Sequence, residues 1–224
     1  MNTMKLSQEE LLEIKNAVSA AEGETAGEIA TAFIKESDDY AVYELLFALF
    51  CGFLYLMGIM FFESSIEQTI KGMFWDYSIR HLLVFYSFSP FLVIGLFYFL
   101  ANFPIIDRLV VPKSVMKRKV NQRAVRHFLE AGVYNTKDRT GILIFISQLE
   151  HRVELVADKG IAKNIPQEKW DSIVNHIIAG IKTKRLVPHL TEAIAQCGQL
   201  LAVHYPVQPD DVNELNDNIA ILEN

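Results

Sequence analysis

Three acids and an arginine stand where turns meet apolar runs: Glu28, Asp138, Arg139 and Asp158. Carboxylates on turns, with backbone carbonyls nearby, are the hard oxygen donors that calcium or magnesium takes. An arginine among them would orient a phosphate or pair with an acid. The metal reading therefore names Glu28, Asp138 and Asp158 as ligands and Arg139 as the binding cation. The plainer reading is turn chemistry, since Asp is favoured in turns by hydrogen bonds to its own backbone. A second charged group, Glu150-His151-Arg152, falls in a chain reversal, where Glu150 and Arg152 would form a structural ion pair or a contact for a partner. A third, Lys117-Arg118-Lys119, would meet anionic headgroups, at about 1 kcal/mol per basic residue near a membrane surface. Equally, it would be a solvated helix face that serves as a topology signal.

Other chemistries have no foothold. No Gly-rich phosphate loop, His-Glu-x-x-His helix or Gly-x-Ser-x-Gly elbow occurs. The six histidines are scattered without ligand spacing, and the two cysteines, Cys51 and Cys197, lie in apolar patterns that call for neither a disulfide nor zinc. A net charge of −6 argues against a nucleic-acid partner. The first ten residues lack the apolar core of a secretory signal peptide.

The elements that would position these groups follow from period and punctuation. Ile142 to Ile146 is an unbroken, β-branched apolar run, the pattern of a strand buried on both faces. Val153, Leu155 and Ala157 then alternate with charged residues, which predicts a second strand with one more open face. Gly27 to Ile34 predicts a further strand. Ser7 and Glu10 have capping-box spacing before a helix over about 7–21. Helices are also predicted over 114–131, 166–182 and 188–204, the second with apolar residues from Trp170 to Ile181 at helical spacing.

Residues 41–62 and 81–103 are apolar runs near the ~20 residues needed to cross a bilayer core. Two helices apolar all round exceed what a domain this small could cover, so they are predicted to span. Arg108, Lys113, Lys117, Arg118, Lys119, Arg123 and Arg126 follow the second run, which by the positive-inside rule puts both chain ends in the cytoplasm. The fold expected is a small layered α/β sandwich with a central mixed sheet flanked by helices, plus an inserted two-helix transmembrane hairpin. Residues 1–40 and 104–206 would be the split α/β domain, 41–103 the hairpin and 207–224 an extended, flexible tail. The sheet end bearing Glu150 would face the membrane and the acidic end the cytosol.

Gly27-Glu28-Ile29, Thr136-x-x-Arg139-x-Gly141 with the strand that follows, Glu150-His151-Arg152-Val153-Glu154 and Ala157-Asp158-x-Gly160-Ile161 together resemble the TPM domain family. The chain is most similar to its bacterial membrane branch, in which a hydrophobic hairpin interrupts the domain, over about residues 7–206. The resemblance implies an α/β sandwich. It also implies roles that differ among members: acid phosphatase, calcium binder, or assembly and auxiliary factor for membrane complexes. The acids at matching motif positions are Glu28, Glu150 and Asp158, with Asp138-Arg139 in the preceding turn. Asp138 stands alone after Lys137, where other branches are richer in acids and asparagine. The first expectation is thus a non-catalytic auxiliary or assembly module in the bacterial inner membrane, with the bilayer and a membrane protein as partners and calcium or magnesium as a candidate ligand. The alternative is a metal-dependent, acid-phosphatase-like hydrolase.

Overall fold

The computed structural model describes residues 6–162, 165–207 and 212–223. It divides into two compact units, residues 1–39 with 113–224 and residues 40–112. In chain order the elements are α1 (Gln8–Glu22), β1 (Glu28–Ile34), α2 (Ala41–Phe61), α3 (Glu63–Met73), α4 (Ile79–Ala101), α5 (Pro104–Val110) and α6 (Lys113–Glu130). After the short 3-10 turn Val133–Asn135 come β2 (Gly141–Ser147), β3 (Arg152–Ala157), α7 (Lys159–Ala162), α8 (Gln167–Thr183), α9 (Leu186–His204) and β4 (Ala220–Leu222).

The first unit is built on a mixed sheet of order β3-β2-β1-β4. β1 runs parallel to β2, Glu28 opposite Gly141 and Ile34 opposite Ser147. β3 returns antiparallel to β2, bringing Ala157 opposite Ile142. Strand alternation sends successive side chains to opposite faces. Ile29, Ile142, Ile144 and Ile146 therefore pack against α1, α8 and α9 through Ile14, Ile177 and Leu201. Ala32, Ile34, Leu143 and Phe145 pack on the other face with Val120, Ala124 and Phe128 of α6. This is the layered α/β sandwich the patterns predict, with β2 buried along its whole length.

Local signals set the helix ends. Ser7 Oγ accepts the Glu10 N–H at 3.2 Å while the Glu10 carboxylate accepts the Ser7 N–H at 2.7 Å, a complete capping box. Pro166 stands at the N-cap of α8, where a missing N–H costs nothing. Helix α9 begins at Leu186, ahead of Pro188, because proline is tolerated within a first turn.

The expected flexible tail is corrected. Ala220–Leu222 adds to the sheet as β4, parallel to β1, with Ala220 opposite Ala32 and Leu222 opposite Ile34. Leu215, Ala220 and Leu222 pack against the α6 face of the sheet. Three residues are too few to show a period, so composition alone hid the strand. Residues 208–211 and 224 of that expected tail lie outside the described residues.

In the second unit α2 and α4 pack against one another, Ile94 lying in the space that a side chain at Gly52 would fill, and Phe47 meets Phe97 edge to face at 6.1 Å. Both are long and apolar enough to cross a membrane. Proline 90 lies inside α4. The connection between them is partly helical, as α3.

Candidate functional site

The turn before β2 is held by its own threonines. Thr136 Oγ1 accepts the Thr140 N–H at 3.0 Å, and the Thr140 hydroxyl donates to the Ala26 carbonyl at 3.0 Å, tying the turn to the entry of β1. Arg139 adopts a left-handed conformation, φ 58°. Its guanidinium donates to the Tyr134 carbonyl at 2.8 Å and lies 5.9 Å from the centroid of the Tyr134 ring. Gly160 lets the chain after β3 pass close to this turn: a Cβ there would sit 2.6 Å from the Arg139 carbonyl oxygen. The Tyr205 hydroxyl donates to the Gly160 carbonyl at 2.7 Å and fixes the crossing from the far side.

The register places Glu28, Arg139 and Asp158 at one end of the sheet, as the strand directions require. They differ in what they do there. Glu28 is buried, and its carboxylate accepts the backbone N–H groups of Glu214 at 3.1 Å and Leu215 at 3.3 Å. Glu214 in turn accepts the Lys137 N–H at 2.9 Å. Residues 213–215 are thus strapped between Glu28 and the β2 turn. Asp158 is also buried; Oδ1 accepts the Lys159 N–H at 2.6 Å, while Oδ2 has no hydrogen-bond donor and lies 3.9 Å from Arg139. Asp138 is exposed on the turn.

As a set of three, the predicted ligands do not fit a cation. Glu28 directs its oxygens at the strap, and among the described residues no group of three or more acidic, His or Cys side chains could hold a metal ion. Asp158 alone keeps a buried oxygen without a donor.

At the opposite end of the sheet Glu150 is a buried anchor. It accepts the Ser37 N–H at 2.9 Å and the Ser147 hydroxyl, and the Ser37 and Ser147 hydroxyls lie 2.8 Å apart. The carboxylate therefore joins the chain leaving β1 to the end of β2. Arg152 is half-buried, with a buried Nε that has no acceptor. Of the basic run on α6, Lys117 and Arg118 are exposed, whereas Lys119 pairs with Asp38 at 2.6 Å.

Glu22 is the residue at this site that the sequence patterns missed. At the end of α1 it accepts the Ile29 N–H at 2.8 Å, with the Asn213 amide at 3.4 Å from its other oxygen. Burial raises its carboxyl from 4.5 to about 8, opposed by the Ile29 hydrogen bond and helped by the charges of Glu28 and Asp217. Nothing local marked it, because its neighbours come from β1 and from residues 213–217.

The fold is thus a layered α/β sandwich with a buried central strand and an Asp-x-Gly crossing beside a Thr-bounded turn. Residues 107–199 match the family model of the TPM domain. The NMR structure of BA42 protein from the psychrophilic bacterium Bizionia argentinensis is similar over 99% of each chain, with a TM-score of 0.59 and 19% identity. At that identity the likeness is one of fold. No curated protein matches the chain.

Proposed function

We propose that the chain is a membrane-anchored auxiliary module, a TPM domain held at the bacterial inner membrane by α2 and α4, which acts by binding a membrane protein. The observation that carries this reading is the bareness of the two helices. Only 17% of the most apolar stretch of α2 and 6% of that of α4 is buried, although both are apolar enough to demand cover. Hydrocarbon supplies that cover to a helix whose backbone groups are satisfied internally. The basic residues from Arg108 to Arg126 favour a cytoplasmic TPM domain. Binding rather than catalysis is supported by Glu28 and Glu150, whose oxygens are taken by backbone and hydroxyl donors of the same chain.

The test is affinity capture from detergent-solubilised membranes after a carbonate wash. The expected result is a chain that stays with the membrane and brings down one membrane protein in stoichiometric amount. Recovery in the wash overturns the anchor, and capture of no stoichiometric partner overturns the auxiliary role.

A second reading, divalent-cation binding, is favoured by the unmet buried oxygen of Asp158. Calcium, magnesium or manganese at ~100 times its Kd would stabilise the fold by about 2.7 kcal/mol. Loss of that shift in Asp158→Asn supports this reading, and no shift with any of the three ions removes it, together with the hydrolase.

A further inference from the structure

A cavity of about 930 Å³ opens within the hairpin unit, lined by α3, the turn after it and the start of α4. That is the upper range of ligand sites, about 300–1,000 Å³. Ile66, Ile70, Val84 and Phe85 give it an apolar lining, and Asp76 and Arg80 contribute charges. The rings of Phe74 and His81 also line it, stacked with centroids 4.6 Å apart.

The charges of the connection fall into two kinds. Glu67 and Lys71 pair at 2.9 Å, and the Tyr77 hydroxyl donates to Glu67 at 3.2 Å. Asp76 and Arg80 are exposed and, among the described residues, have no ion-pair partner. An apolar cavity with one unpaired anion and one unpaired cation complements a molecule with a hydrocarbon body and a head that bears both charges. Arg80 is the second residue of α4, so on the membrane reading it stands where a span leaves the hydrocarbon, at headgroup level. Phe74 and the fully exposed Trp75 are aromatic residues of the kind found at that level.

We propose that this cavity holds one phospholipid with a zwitterionic, ethanolamine-type headgroup. Arg80 takes the phosphate and Asp76 the ammonium, with an acyl chain along Ile66, Ile70, Val84 and Phe85. An anionic lipid would set its uncompensated charge near Asp76, and a free phosphate would leave the apolar lining wet. The inference rests on the membrane anchor proposed above.

The test uses the full chain extracted from membranes in a mild detergent, with phosphatidylethanolamine and phosphatidylglycerol supplied in equal amounts. Retained lipid is counted by native mass spectrometry. The expected result is one lipid per chain, with phosphatidylethanolamine favoured about tenfold. Asp76→Asn should bring that ratio towards one, Arg80→Gln should lower retention of both lipids, and Ile70→Trp should displace them by filling the cavity. Asp76 and Arg80 are exposed, so their variants read the headgroup even where Ile70→Trp disturbs α3. An unchanged lipid ratio in Asp76→Asn, or a second copy of the chain in place of lipid, overturns the proposal. A chain that stays in membranes yet retains no lipid overturns this inference alone. A chain released without detergent overturns the anchor and the inference together.

Discussion

Strand β2 and helix α4 are both apolar runs, yet they meet opposite fates. Ile142 to Ile146 of β2 are fully buried, with paired strands on both edges and helices on both faces. In α4, Leu83, Phe88, Phe91, Leu92 and Phe99 are each more than half exposed. The difference lies in geometry. A short strand can be enclosed by its own chain, whereas a 23-residue helix apolar on every side needs more cover than one partner helix gives. The same hydrophobicity therefore marks a core in one unit and bare apolar surface in the other.

Phenylalanine occurs in both, which makes a matched test. Phe145→Ala should cost about 3–5 kcal/mol, because it opens a cavity where the surroundings collapse only partly. Phe91→Ala should change stability by no more than about 0.5 kcal/mol, as for other bare positions. Thermal unfolding in detergent measures both. Equal losses would break the comparison by showing that a partner or a second copy covers Phe91. Phe91→Arg sharpens it further: a charge at a spanning position disfavours insertion by about 2.5–3.5 kcal/mol, and carbonate extraction should find more of the variant outside the membrane. A variant inserted as fully as the parent would show that α4 does not cross.

Glu150 tests the closed unit from its polar side. Glu150→Ala leaves the Ser37 N–H and the Ser147 hydroxyl without this acceptor, and a buried unsatisfied group costs about 1–3 kcal/mol. The expected outcome is a lower melting temperature and faster hydrogen exchange at Ser37. An unchanged exchange rate would mean that the tie between β1 and β2 does not depend on this carboxylate.

How far the sequence could be read follows the same division between near and distant partners. Strand β2, Gly141–Ser147, contains the whole run read for it, Ile142 to Ile146, because five apolar residues between a turn and a reversal carry their own signal. The capping box of α1 is equally local. Glu28 and Asp158 were legible as acids at one sheet end, since strand direction puts them there. The donors to Glu28 were not, because they lie 186 and 187 residues further along. The segment that supplies them looks disordered by composition, yet its asparagines satisfy their own turns: Asn213 Oδ1 accepts the Leu215 N–H and Asn216 Oδ1 the Asn218 N–H. Helix α3 was missed for a related reason. Its charged residues read as a connection, and their pairing at Glu67 and Lys71 shows only in three dimensions.

The smallest effect concerns the carboxylate that burial keeps protonated. Glu22 titrates near 8 in the folded chain against an ordinary 4.5, chiefly because it is drawn from water. Between those values the folded state holds a proton that the unfolded state has released. The contribution is therefore fully present below about pH 4.5, declines through the window and is lost above about pH 8. Glu22→Gln stays neutral throughout and keeps an oxygen for the Ile29 N–H. It should match the parent near pH 4 and exceed it near pH 9, by on the order of 1 kcal/mol once solvent screening of a half-buried group is discounted. Melting temperature against pH measures the difference. Glu67 of α3, half-exposed and beside Lys71, is the control from the other unit: its pKa is lowered by hydrogen bonding to Lys71, so Glu67→Gln should leave the profile between pH 5 and about pH 9 unchanged in slope. If Glu22→Gln and the parent run in parallel through that window, Glu22 is ionised when folded and a cation must reach it. The strap at residues 213–217 would then close over a charged site rather than a neutral one.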